Sequence, residues 1–149
     1  MPLVSQPQLI AQTQQNRVVS FPTDTVPALA VKPDYAHLIY ELKQRSPDKP
    51  LILMAASLPE IWDYVVGTEA EKAQWQAIAN RYLPGALTLV LPASDKVSPA
   101  LNPSNSGTIG VRVPALPKAQ EILAKTGVLA TTSANLSGQP PLEFTEQIS

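Results

Sequence analysis

Strand-length apolar runs and segments of helical spacing alternate along this chain, and that interleaving points to an α/β fold, a mixed sheet with helices packed against it. Arg17-Val18-Val19-Ser20-Phe21 is a β-branched and aromatic run that stops at Pro22, and residues 26–31 form a second apolar run. After Pro33, the positions Tyr35, Leu38, Ile39 and Leu42 recur at helical spacing, with Asp34 placed to cap free N–H groups, so a helix is expected over residues 34–44. Residues 50–56 have strand length and 58–66 the look of a short helix. Thr68-Glu69-Ala70-Glu71 resembles a capping box and opens a helix over 68–82, with Trp75, Ile78, Ala79 and Tyr82 available for its buried face. Beyond the break at Pro84-Gly85, strands are expected at 86–91, 108–113 and 128–132. Pro117 suits the first turn of a helix ending near Lys125, and Gly127 can cap it.

With 149 residues, 44% of them hydrophobic, the chain can bury one core and is too short for two ordinary domains, so a single domain over 1–149 is expected. Cysteine is absent, which excludes disulfides, zinc-thiolate sites, iron-sulfur clusters and thiol nucleophiles. The single histidine, His37, has no second histidine or cysteine with which to share a metal, and no metal site is expected. A formal net charge of −1 lacks the broad basic surface of many nucleic-acid binders, so any anion site must be local. No apolar run approaches eighteen residues and no secretory leader is recognisable, so a cytoplasmic protein is expected. Neither a G-x-x-x-x-G-K-[ST] phosphate loop nor a G-x-G-x-x-G fingerprint occurs.

Four polar clusters interrupt the apolar pattern. Thr23-Asp24-Thr25 lies between Pro22 and Pro27 and reads as a turn or as a ligand loop. Lys43, Arg45 and Lys49 lie at a helix C-terminus, where cations either complement the dipole in solvent or grip a polyphosphate, arginine by its fork and lysine as a point charge. Arg112 alternates with Val111 and Val113 in an apolar strand and needs a partner or ligand if it points inward. Thr131-Thr132-Ser133-Ala134-Asn135 follows a strand, a common place for ligand loops in α/β sheets and also an ordinary loop composition.

In this order the clusters resemble the YrdC-type family of threonylcarbamoyl-AMP synthases. The chain reads Pro22-Thr23-Asp24-Thr25-Val26-Pro27-Ala28-Leu29-Ala30 against that family's Pro-Thr-[Asp/Glu]-[Thr/Ala]-Val-[Tyr/Phe]-Gly-[Leu/Val]-Gly. Lys43-Gln44-Arg45 with Pro50-Leu51-Ile52, Pro84-Gly85-Ala86-Leu87-Thr88, Val111-Arg112-Val113-Pro114 and Ser133 to Gly138 match four further motifs. The resemblance implies a twisted sheet around a locally positive cavity, and synthesis of threonylcarbamoyl-AMP from L-threonine, bicarbonate and ATP, with Mg2+ on the phosphates, for a tRNA modification. It implies Lys43 and Arg45 as catalytic cations that with Lys49 hold ATP phosphates. Ser133 and Asn135 would line the nucleotide side, and Thr23, Thr25, Arg112 and Thr132 the threonine site. It also implies tRNA and threonylcarbamoyl transferases as partners. A relative without synthase activity that binds nucleotide or structured RNA, and a plain interaction domain, are the alternatives. Pro27, Ala28 and Ala30 stand where the family has an aromatic residue and two glycines, implying a narrower or stiffer substrate loop. The sequence ends at Ser149, whereas relatives usually continue for some tens of residues, so a domain lacking the usual C-terminal extension is expected.

Overall fold

The computed structural model describes residues 4–44, 49–101 and 107–134. Among them a six-stranded sheet runs in the order β1-β2-β6-β3-β5-β4. The strands are β1 (Val19–Phe21), β2 (Ala28–Val31), β3 (Ile52–Met54), β4 (Leu89–Pro92), β5 (Thr108–Arg112) and β6 (Leu129–Ser133). β3 and β5 pair in parallel, and every other neighbouring pair is antiparallel. The helices are α1 (Gln6–Gln14), α2 (His37–Lys43), α3 (Leu58–Ile61), α4 (Glu69–Tyr82) and α5 (Pro117–Thr126).

Because successive strand residues face opposite sides, the sheet separates two apolar clusters. Leu29, Val31, Leu53, Ile109, Val111 and Ala130 face one side, where they are buried with Ile39 of α2, Ile61 of α3 and Ala79 of α4. Ala28, Ala30, Met54 and Leu129 face the other, with Leu9 of α1 and Ala119, Ile122 and Leu123 of α5. The interleaved α/β pattern thus folds as the sequence indicates, into one mixed sheet covered on both sides.

Helix α1 has no counterpart in the sequence reading. Its composition is dominated by glutamine, and Leu9 and Thr13 are its buried residues, too few to make a periodic signal. The readable sign is the Ser5-x-x-Gln8 spacing: Ser5 Oγ accepts from the Gln8 N–H at 3.4 Å, and Gln8 Oε1 from the Ser5 N–H at 3.1 Å. Asn16 then ends the helix with φ 65°. Since the Oγ contact is long, Ser5→Ala is expected to cost only about 0.5 kcal/mol, the low end for a cap, measured by urea denaturation.

Two local expectations are corrected. Asp34 does not cap α2: residues Pro33–Tyr35 form a 3-10 turn, and α2 begins at His37 with no side-chain cap bond. The α4 face is narrower than its spacing implies. Ala79 is its one fully buried residue and Trp75 is partly buried, while Ile78 and Tyr82 are exposed. Trp75 lies over Gly67, where a Cβ would come within 2.5 Å of the indole ring. That close seat places one stripe of the helix on the core. The rest of the helix, rich in Glu, Gln and Lys, stays in solvent.

Candidate functional site

Strand parity places Arg112 opposite Met54, Ser133 opposite Ala28, and Thr131 between Ala30 and Ile52, all on the side of the sheet that carries α1 and α5. A cleft of about 210 Å³ opens there, walled by Ala28, Ile52, Met54 and Thr131 and bordered by Thr23, Thr25, Arg112, Thr132 and Ser133. The structure therefore brings five sequence-predicted positions, Thr23, Thr25, Arg112, Thr132 and Ser133, to one cavity. Their motifs lie far apart in the chain and meet because β6 lies between β2 and β3.

Arg112 points inward. Its side chain is only 9% exposed and its guanidinium is held from three directions. Nε donates to the Gly85 carbonyl at 2.9 Å, Nη1 to Thr25 Oγ1 at 2.9 Å, and Nη2 to Asp24 Oδ1 at 2.6 Å. A buried cation needs such partners, because loss of hydration is otherwise uncompensated. These bonds occupy three of the five guanidinium N–H groups, so one hydrogen on each Nη has no acceptor among the described residues.

The Thr23-Asp24-Thr25 loop is an ordered turn and also a wall of the cleft. Thr23 Oγ1 donates to the Val26 carbonyl at 2.7 Å and accepts from the Thr25 N–H at 3.1 Å. Pro27 closes the loop, its carbonyl accepting from the Ala134 N–H at 2.8 Å. Ala28 and Ala30 are buried in regular strand and are not among the residues with positive φ, so this backbone asks for no glycine at either place. The residues sequence reasoning missed are Asp24, as the partner of Arg112, and Gly85, as its carbonyl acceptor. Pairings across so many positions leave no local trace in the chain.

Lys43 is 3% exposed and donates from Nζ to the Ser133 carbonyl at 2.9 Å, tying the end of α2 to the end of β6. This is not the solvated cation that a helix C-terminus ordinarily carries. Lys49 is exposed, and its carbonyl accepts from the Tyr40 hydroxyl at 3.0 Å. Arg45 and Asn135 lie outside the described residues. His37 is exposed at the start of α2, with its ring 6.2 Å from that of Tyr35. Among the described residues no group of three or more His, Cys, Asp or Glu side chains could hold a metal ion, and no helix is long and apolar enough to cross a membrane.

A family model named for Sua5, YciO and YrdC, and described as telomere recombination, matches residues 11–149. The chain belongs to the Sua5/YciO/YrdC family. A threonylcarbamoyl-AMP synthase of Vibrio campbellii is 36% identical over 95% of this chain and 77% of its own length. One of Bacillus subtilis is 39% identical over 89% of this chain but only 39% of its own length, so the chain spans about two fifths of that relative. In three dimensions, P. abyssi Sua5 complexed with L-threonine superposes with a TM-score of 0.83 at 31% identity, covering 91% of this chain and 40% of Sua5. E. coli YciO gives 0.77 at 27% identity, over 90% and 65%. Family membership accounts for the ordered motifs around the cleft.

Proposed function

We propose that this chain forms L-threonylcarbamoyl-AMP from L-threonine, bicarbonate and ATP, in the cytoplasm and in service of tRNA modification. The observation that carries the proposal is the buried Arg112, whose guanidinium borders a small, largely apolar cleft while keeping, among the described residues, a hydrogen without an acceptor on each Nη. A planar fork of that kind suits a carboxylate, and Ala28, Ile52 and Met54 suit a short side chain beside it. At about 210 Å³ the cleft is smaller than the roughly 300–1,000 Å³ of sites for drug-sized ligands, which fits an amino acid there and a nucleotide extending beyond it. The relatives named as threonylcarbamoyl-AMP synthases, and the Sua5 structure with threonine, support the same assignment.

The substrates supply the nucleophile. The threonine amine adds to the bicarbonate carbon with loss of water, giving a carbamate; a carbamate oxygen attacks the α-phosphorus of ATP, and the bond to pyrophosphate breaks. What remains for the protein is orientation and charge neutralisation. Arg112 holds the threonine carboxylate, with Thr23, Thr25 and Thr132 around it. Lys43 and Lys49 are assigned to the phosphates and Ser133 to the nucleoside, and the motifs assign Arg45 and Asn135 to the same two groups. Magnesium coordinates phosphate oxygens and water readily, so it fits arrival on ATP, without a cage of protein carboxylates.

Purified protein given ATP, bicarbonate and labelled threonine is expected to release pyrophosphate only when threonine is present, with label entering an adenylate. ATP binding without that turnover would replace synthesis with nucleotide binding alone. Salt-sensitive binding of structured RNA without affinity for ATP would make the chain an RNA-binding relative. Lys43→Met is expected to weaken ATP binding about 10- to 100-fold, the range for losing one charge-assisted hydrogen bond, measured by calorimetry.

A further inference from the structure

We infer that Asp24 is a positioning residue for the α-carboxylate of the amino-acid substrate, acting through Arg112. The inference rests on the proposed threonine site and adds a residue to it. Asp24 Oδ1 accepts two hydrogen bonds, from Arg112 Nη2 at 2.6 Å and from the Ala115 N–H at 3.0 Å. One carboxylate oxygen thus ties the loop after β1 to the chain just beyond β5 and to the guanidinium between them. The contact is monodentate, and this detail separates positioning from blockade. A carboxylate that took both Nη groups would occupy the fork a ligand needs, whereas this one leaves a hydrogen on each Nη.

The three bonds to Arg112 divide the work. Gly85 fixes the stem end at Nε, Thr25 fixes Nη1, and Asp24 fixes Nη2. Asp24 supplies the one negative charge among these acceptors, and its side chain is itself only 20% exposed. Without that charge, a guanidinium with 9% exposure gains by turning toward water, and the fork leaves the cleft wall. Thr25 then loses its donor, and the Thr23-to-Val26 turn loses its link to β5. The Lys43 Nζ bond to the Ser133 carbonyl shares no atom with these three bonds.

Two variants and three readouts test this. In Asp24→Ala, the KM for threonine is expected to rise about tenfold or more, with the KM for ATP unchanged within about twofold and kcat within about threefold. Asp24→Asn keeps the shape and an oxygen for Ala115 while removing the charge, and is expected to fall between wild type and Asp24→Ala; it also carries the test if the alanine variant does not fold. The Arg112 Nε–H resonance in a 15N-correlated NMR spectrum is expected to broaden or shift in both variants. An unchanged threonine KM in an enzyme that turns over normally overturns the role of Asp24 alone. So does a parallel rise in both KM values with a falling Tm, which marks a merely structural residue. A wild-type protein that neither binds nor consumes threonine overturns the threonine site and this inference together.

Discussion

Arg112→Met is expected to lower threonine-dependent kcat/KM roughly 30- to 1,000-fold, the consequence of losing about 2–4 kcal/mol when a carboxylate loses a buried, hydrogen-bonded cation. Methionine fills much of the same volume beside Met54, so cavity formation adds little. Folding responds less than activity does. The partner left behind, Asp24, keeps the Ala115 N–H and a fifth of its side chain in water, so its carboxylate can rehydrate. A stability loss of about 1–2 kcal/mol follows, near 3–6 °C in Tm for a chain of this size. An activity loss explained wholly by unfolding at the assay temperature would contradict the assignment. In a double-mutant cycle, Asp24→Asn is expected to add little to Arg112→Met, because both act on one interaction.

Phe21→Ala is expected to be the most destabilising single truncation next to the site. Phe21 has no exposed surface, ends β1, and packs among Val19, Ala28, Ala30 and the apolar faces of α1 and α5. Removing a buried aromatic ring costs about 3–5 kcal/mol, and the small alanines around it do little to close the gap. With ordinary domain stabilities of only about 5–15 kcal/mol, calorimetry should record a Tm lower by roughly 6–20 °C. Pro22 and the Thr23-Asp24-Thr25 loop follow Phe21 directly, so threonine affinity is expected to fall at temperatures where the variant is still folded. A Tm within about 3 °C of wild type would show that β1 carries little of the core.

All six strands could be read from the chain because each pairs an apolar or β-branched run with a proline, glycine or hydroxyl boundary. Arg112 was conspicuous as a lone charge in such a run, and its inward direction follows from strand parity once Met54 is known to lie opposite. Asp24 carried no comparable signal, since an aspartate between two threonines is ordinary turn chemistry. Its partner sits 88 positions away, a distance fixed only by the fold. The failure at α4 has another cause. Periodicity says which residues share a face and not how much of that face meets a neighbour, so Ile78 and Tyr82 share the stripe of Ala79 yet remain in solvent. Helix α1 escaped because a capping pair and two buried side chains suffice when a neighbouring helix supplies the remaining contacts.

The place of β6 also bears on how the molecule is made. The last described strand in the chain is laid between β2 and β3, with Ala28 meeting Ser133 across about a hundred residues of intervening chain. While the protein is being synthesised from its N-terminus, β2 and β3 therefore wait with facing edges unpaired until residues 129–133 emerge. Assembly is completed from the middle of the sheet outward in space, though from its end in sequence. Substitutions that slow the docking of β6 should show up as aggregation of newly made chains before they lower the melting temperature of the finished protein.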